Sequence, residues 1–153
     1  MQKLISILLS ALFLLVSPML FAAEIAKEPP LAFTFDDPQL KWSPCQPFLP
    51  EGCAIAVLHG DPSKPNVDVF FKVPSGSIIP SHTHISPERM VLVSGELEVT
   101  YEGQAPRTLK VGSYAYGPAK HAHKATCAKG APCVLFIAFE SPLDAIPTKA
   151  PSK

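Results

Sequence analysis

Short apolar runs, many with alternating polar residues, occupy most of the chain after residue 53. Segments containing glycine, proline or serine separate them, which is the pattern of β-strands and turns. Nowhere after residue 24 do apolar residues recur with helical spacing. Many short strands within one domain's length predict an all-β sandwich or barrel. The predicted strands are Ala54–Leu58, Val67–Val73, Glu88–Val93, Leu97–Tyr101, Thr108–Val111 and Val134–Phe139.

The N-terminal segment, residues 1–22, has the features of a secretory signal peptide. It opens with Met-Gln-Lys, continues with a short apolar run and ends in small residues, so we expect cleavage to leave Ala23 or Glu24 as the mature N-terminus. A membrane anchor is the alternative. The run is shorter than the roughly 18 apolar residues that a spanning helix needs, and Pro18 interrupts it.

Residues 23–50 are rich in proline. Proline removes backbone donors and restricts φ, so this segment is expected to be an extended arm that forms at most edge strands. Phe33, Phe35 and Trp42 are expected to pack the arm against the barrel. The barrel itself is assigned to residues 51–146, and residues 147–153 are expected to form a loose tail.

The four cysteines, Cys45, Cys53, Cys127 and Cys133, lack the C-x-x-C spacing of redox or zinc sites. In an exported protein an even number favours disulfides over free buried thiols, and three connectivities are possible. We predict a Cys127–Cys133 bridge, because the five residues between them suit a hairpin. The surroundings of Cys45 and Cys53 constrain that pair less. The expected location is the periplasm or the exterior.

Candidate metal ligands occur close together in the middle of the chain. His82 and His84 are two residues apart, so on a strand they point to the same face. Ser86-Pro87 breaks that strand, which allows Glu88 to begin the next one and return toward the histidines. His123 can supply a third nitrogen. Imidazole and carboxylate groups together suit a divalent transition metal.

These residues give the chain a resemblance to the cupin superfamily. The first cupin motif is G-x5-H-x-H-x3-E-x6-G, and Gly76, His82, His84, Glu88 and Gly95 match every fixed position. The resemblance implies a double-stranded β-helix, a jelly-roll-like barrel that would hold a metal ion in its wider mouth.

The second cupin motif, G-x5-P-x-G-x2-H-x3-N, matches less completely. Gly112, Pro118 and His123 agree with it. Lys120 replaces the second glycine and Cys127 replaces the asparagine, while the ligand is retained. The resemblance thus implies one site formed by His82, His84, Glu88 and His123.

Alternatives accompany this assignment. A lone H-x-H is more often surface or core histidine than a ligand pair, and a cupin barrel can also be an empty binding cup. His121 could replace His123, but alternate residues of a strand face opposite ways, and we favour His123. His59 is interpreted as a turn residue. Several residues could line the pocket or belong to the ordinary core: Phe70, Met90, Tyr114, Tyr116 and Phe136.

A fold does not determine a function. The leading hypothesis is a metal-dependent enzyme, an oxygenase or isomerase-type cupin, acting on a small organic molecule. Glu88 would be both a ligand and the catalytic proton shuttle, and the metal would be iron, manganese, nickel, copper or zinc. The alternative is a non-catalytic periplasmic protein that binds a small molecule or a metal.

The expected partners follow from the charge. The formal net charge is zero and no run of like charge occurs, so neither nucleic acid nor an anionic membrane surface is expected. A small-molecule ligand or substrate is the expected partner, with a homodimer left open.

Overall fold

The computed structural model describes residues 28–148. The predicted signal peptide lies outside the described residues, as do the last five residues of the expected tail. No α-helix occurs between residues 28 and 148, and this part of the chain contains no helix that is long and apolar enough to cross a membrane.

The described chain forms eleven strands. They are β1 (Trp42–Pro44), β2 (Ala54–His59), β3 (Val67–Val73), β4 (Ile78–Thr83), β5 (Glu88–Ser94), β6 (Leu97–Tyr101), β7 (Arg107–Leu109), β8 (Tyr114–Gly117), β9 (His123–Cys127), β10 (Cys133–Phe139) and β11 (Ile146–Pro147).

Two antiparallel sheets enclose the core. One has the order β1-β2-β3-β10-β5-β8 and the other β11-β4-β9-β6-β7. This is the predicted all-β double-stranded β-helix. Strand β10 lies between β3 and β5 in the centre of its sheet, and both β10 and β3 are buried along most of their length. Strand β6, which lies between β9 and β7, instead alternates buried with more exposed residues, so that one face packs on the core.

All six predicted strands are present, but β2 and β5 end one residue later than predicted, β10 begins one residue earlier, and β7 differs at both ends. Both β3 and β6 have the predicted bounds, and β5 begins at Glu88 as predicted. The predicted strand Thr108–Val111 is wrong at its C-terminal end, because β7 stops at Leu109 and Val111 is 65% exposed. The amide of Gly112 bonds to the carbonyl of Leu92 at 2.8 Å, so the chain turns back here instead of extending the strand.

The proline-rich arm contributes one edge strand. Strand β1 pairs only with β2, and Lys72 lies over the ring of Trp42 with Nζ 4.0 Å from its centroid. Phe33, Phe35 and Trp42 pack against a small apolar cluster that contains Phe70, on the side of the sheet away from the main core. A disulfide joins Cys45 in the arm to Cys53, which directly precedes β2.

The second disulfide joins Cys127 at the end of β9 to Cys133 at the start of β10, with an S–S distance of 2.05 Å. The predicted pairing is confirmed. It also explains one departure from the second cupin motif, because the cysteine that replaces asparagine forms this bridge. The other departure is accommodated as well: Lys120 adopts the left-handed conformation, with φ 61°, that glycine adopts most readily.

The start of the expected tail is ordered by pairing. Pro147 in β11 lies opposite His82 in β4, and the amide of Thr148 bonds to the carbonyl of Ser81 at 3.0 Å. The sheet therefore continues one residue past the assigned boundary at residue 146, and the hydrogen bond of Thr148 follows it. This matters for the site, because the C-terminal segment covers the strand that carries His82.

Candidate metal centre

Three strands bring the predicted ligands to one end of the barrel. His82 on β4 lies directly opposite His123 on β9. His84 follows one residue after β4 ends, and Glu88 is the first residue of β5. One potential ligand nitrogen from each of the three imidazoles lies within 4.8 Å of the others. Each histidine is 7% exposed and Glu88 is 2% exposed, so the group is almost fully buried.

Backbone carbonyls orient all three imidazoles. His82 Nδ1 donates to the carbonyl of Pro80 at 2.8 Å, and His123 Nδ1 donates to that of His121 at 3.3 Å. His84 Nδ1 donates to the carbonyl of Asp144, sixty residues away. An Nδ1–H bonded in this way leaves the lone pair on Nε2. Such outer hydrogen bonds are the usual means by which proteins orient metal-binding histidines.

The carboxyl group of Glu88 lies between two of these rings. Its Oε1 is 3.1 Å from His123 Nε2, and its Oε2 is 3.5 Å from His84 Nε2. No hydrogen bond forms at the first contact, and Oε1 is fully buried without a hydrogen-bond partner. A buried polar atom without a partner is costly. A cation held by the three Nε2 atoms would compensate for this cost, so the residues fit a divalent metal.

Burial keeps this group electrically neutral without a metal. Desolvation raises the pKa of Glu88 to about 8. Desolvation, together with a smaller effect of the neighbouring histidines, lowers the pKa of His84 to about 4 and that of His123 to about 3. Burial also lowers the pKa of His82. Near neutral pH the carboxyl is therefore protonated and the imidazoles are uncharged. Each imidazole then has a lone pair available on Nε2.

Gly117 makes room for Glu88. The two residues are paired between β5 and β8. A Cβ atom at position 117 would lie 2.7 Å from Glu88 Oε1 and 2.9 Å from its Cγ, closer than the van der Waals contact of about 3.5–4.0 Å between carbon atoms. The Glu88 carboxylate can therefore occupy its observed place only because residue 117 has no side chain.

A cavity adjoins the four residues and reaches into the barrel. The centres of water-sized atoms can occupy about 60 Å³ of it. Apart from His82, His84, Glu88, His123 and Asp144, all the side chains that line it are apolar. The cavity therefore combines one polar end with dry walls, an arrangement typical of small-ligand sites.

Family and structural comparisons agree with this geometry. Residues 32–142 match the model of the ChrR cupin-like domain. The chain belongs to this cupin family. Among curated protein sequences, none matches this cupin.

Solved structures similar to this cupin show the same fold. The DMSP lyase DddQ from Ruegeria pomeroyi is 23% identical with a TM-score of 0.62, and the match covers 74% of this chain and 64% of that one. An RmlC-like cupin from Shewanella frigidimarina is 21% identical with a TM-score of 0.58, covering 74% and 93%. KdgF from Halomonas sp. is 22% identical with a TM-score of 0.54, covering 65% and 87%. The cupin thus spans about two thirds of the length of DddQ.

The other candidates from the sequence lie apart from the cluster. His121 is outside it, with its Nε2 3.0 Å from the carbonyl of Glu102, and His59 ends β2 in an exposed position. Met90 lines the cavity. Tyr114 and Tyr116 are exposed on β8.

Sequence reasoning missed two residues that act on the cupin's candidate site. Asp144 accepts the Ile85 amide at 3.1 Å and lines the cavity, yet it lies in a segment without any motif. Gly117 directly precedes Pro118 of the second motif. That pattern marks a turn and gives no indication that the glycine faces Glu88.

Proposed function

We propose that this cupin holds one divalent transition-metal ion through His82, His84, Glu88 and His123 and is an enzyme acting on a small organic molecule. The observation that carries the proposal is the combination of three imidazoles oriented by backbone carbonyls with a buried carboxylate oxygen that has no partner. This donor set accepts iron, manganese, nickel, copper or zinc.

The bound ion would supply Lewis acidity, which polarises an oxygen or nitrogen of the substrate. His82, His84, Glu88 and His123 would hold the ion and would leave room on it for that group. The residues of the chain have the remaining roles. The apolar walls exclude water, which strengthens electrostatic interactions at the polar end. Glu88, whose pKa burial raises in the metal-free protein, is the proposed proton shuttle.

The cavity limits the size of the substrate. Space of about 60 Å³ for atom centres admits a molecule of few atoms unless the walls move. Its polar end would hold the group that meets the metal, and the apolar walls would hold a hydrocarbon part. A small polar-headed organic molecule therefore fits better than a sugar, whose hydroxyl groups would face walls without partners.

The two disulfides support an exported protein. Disulfides persist in the periplasm and outside the cell and are rare in the cytosol. The described part of the chain contains both bridges and no free cysteine. We therefore place the enzyme in the periplasm or the exterior, in agreement with the predicted signal peptide.

Similarity to solved enzymes adds support at the level of the fold only. One neighbour is a DMSP lyase, which shows that a barrel of this shape can house an enzyme. At 23% identity the likeness does not transfer its substrate.

The test begins with the protein purified from its own compartment. Elemental analysis should find close to one equivalent of a single transition metal, which a chelator removes and the same metal restores. A screen of small organic acids, alcohols and ketones on the loaded form should then find turnover that the chelated form lacks. Loss of every candidate metal during gel filtration would refute the site. Full occupancy with no turnover would instead support the non-catalytic binding protein.

A further inference from the structure

Two buried side-chain polar atoms between residues 28 and 148 lack a hydrogen-bond partner, and both belong to residues that neighbour His123. One is Glu88 Oε1 and the other is the hydroxyl of Tyr101. Glu88 Oε1 is 3.1 Å from His123 Nε2, and the ring centroid of Tyr101 is 5.4 Å from that of His123. Native proteins rarely leave such atoms unpaired, so each needs an explanation. The proposed metal would give Glu88 Oε1 a partner, but it would not give one to the hydroxyl of Tyr101.

The strand register determines where Tyr101 lies. It is the last residue of β6 and is directly opposite His123 on β9. Leu97, Val99 and Tyr101 alternate along β6 on its buried face, and the first two line the cavity. Tyr101 continues this row at the end of the barrel where the histidines lie, and with His123 it lines a neighbouring pocket. It is 8% exposed.

The neighbouring imidazoles offer this hydroxyl no acceptor. Each Nδ1 bonds to a backbone carbonyl, and the Nε2 lone pairs are the atoms that the proposed metal would use. A phenol beside a closed set of ligands can still donate to a molecule that enters the site. Buried tyrosine hydroxyls usually have a hydrogen-bond partner, whereas that of an exposed residue such as Tyr116, at 51% exposure, can bond to water.

We propose that the Tyr101 hydroxyl donates a hydrogen bond to a small anion or oxygen-bearing ligand bound at the histidine cluster. This inference rests on the proposed metal site and adds to it the class of ligand. The positive charge of an ion would attract an anionic group, and the tyrosine would select ligands that carry a hydrogen-bond acceptor on the side of His123. Carboxylates and other compact oxyanions meet both conditions.

The first test is stability without metal. Tyr101→Phe removes only the hydroxyl, so the chelated variant should melt at the same temperature as the wild type or slightly higher, because the lost group had no partner. A hydroxyl with a purely structural role would lower the melting temperature when removed. Tyr116→Phe makes the same chemical change at the surface and serves as the control.

The second test is anion binding. We would load the wild type, Tyr101→Phe and Tyr116→Phe with Cu(II), measure copper by elemental analysis, and titrate azide by its charge-transfer absorbance. All three should hold equal copper. Tyr101→Phe should bind azide about tenfold more weakly or worse, since a hydrogen bond to a charged group is lost, while Tyr116→Phe should match the wild type.

The outcomes separate the two proposals. Equal azide affinity in the wild type and Tyr101→Phe, at equal copper content, would overturn the role of Tyr101 and leave the metal site intact. A lowered melting temperature with unchanged azide affinity would assign the hydroxyl to packing. A wild type that holds no copper or any other candidate metal would overturn the site itself, and with it this inference.

Discussion

The two ends of strand β9 differ in how the protein treats buried polar groups. His123 begins the strand among the other histidines, and Cys127 ends it in a disulfide to Cys133. They are four positions apart along the strand, a distance of about 13 Å. At the disulfide end, the amides of Gly76 and Cys127 both have carbonyl partners. At the histidine end, two buried oxygens have none.

This contrast indicates which part of the cupin motifs serves the fold and which serves the site. Gly95 lies at the disulfide end in the left-handed conformation, with φ 80°, and a Cβ there would lie 2.7 Å from the carbonyl oxygen of Pro132. Gly76 also has a positive φ, of 77°. The motif glycines thus form turns at the end remote from the ligands. One end is built for stability and the other retains a cost that a ligand would remove.

Removing a ligand should have the largest effect. Each of the single changes His82→Ala, His84→Ala, Glu88→Ala and His123→Ala should weaken metal binding more than a hundredfold, beyond the 10–100-fold typical of an outer partner. The barrel should remain folded, because apolar burial between the sheets does not depend on the metal. Metal content after gel filtration and circular dichroism would measure the two effects.

His121→Ala is the control for this series, since its side chain lies outside the cluster. It should keep its metal. If this change empties the site and His123→Ala does not, the ligand assignment on β9 is wrong.

The next effect belongs to the opposite end. Replacing both Cys127 and Cys133 by alanine should lower the free energy of unfolding by about 2–3 kcal/mol, because the bridge closes a small loop. Metal affinity should not change. Urea unfolding of the metal-free protein, followed by metal titration, would measure both quantities. If the variant folds fully but does not bind metal, the disulfide end and the histidine end of β9 are coupled.

A smaller effect is expected from Gly117→Ala. The added methyl group competes with Glu88 for the same space, so it should displace the carboxylate and weaken metal binding about 10–100-fold, as loss of an outer partner does. Isothermal titration with Zn²⁺ would measure the affinity.

Gly103→Ala is the comparison for that change, because a Cβ there meets no atom within 4 Å. Because φ at position 103 is positive, 75°, the Gly103→Ala variant should have a lower free energy of unfolding. Its metal affinity should be unchanged. Equal metal affinities for the two variants would contradict the role of Gly117.

The smallest effect concerns pH in the metal-free protein. The pKa of Glu88 rises on folding to about 8. Its contribution to the free energy of unfolding is therefore present at low pH and is lost as the pH rises toward 8. The histidines act in the opposite sense, because folding lowers the pKa values of His84 and His123 to about 4 and about 3. Their contribution is present above about 6.5 and is lost as the pH falls. Stability should therefore be highest near pH 6.5.

Glu88→Gln imitates the protonated carboxyl and tests this balance. The decline between pH 6.5 and 8 should disappear in the variant, while the decline on the acid side should remain. Melting temperatures of chelated protein across this range provide the measurement. A decline that persists unchanged in the variant would show that another group causes it.

Local patterns predicted much of the fold and the membership of the candidate site. Alternation along β6 and the break at Ser86-Pro87 are properties of adjacent residues, so they are visible in the sequence. The spacing of His82, His84 and Glu88 is also local, and cupin resemblance added His123. The structure brings these four together as predicted, and their binding of a metal remains a proposal.

What the sequence could not predict depends on contacts between distant segments. Asp144 reaches His84 only because the C-terminal segment folds back on the barrel end, and the partnership of Gly117 with Glu88 depends on the register of β5 and β8. Tyr101 reads as an ordinary inward residue of a strand. Its importance lies in a missing hydrogen bond, which no one-dimensional pattern displays.

The three carbonyls that orient the imidazoles lie at different separations along the chain from the histidines that they bind, so they are synthesised at different times. Those for His82 and His123 lie two residues from their partners, but His84 depends on Asp144, sixty residues later. A ribosome therefore completes nearly the whole described chain before the last imidazole can be oriented. We expect an ion to enter a finished barrel and not to act as a nucleus around which the polypeptide collapses.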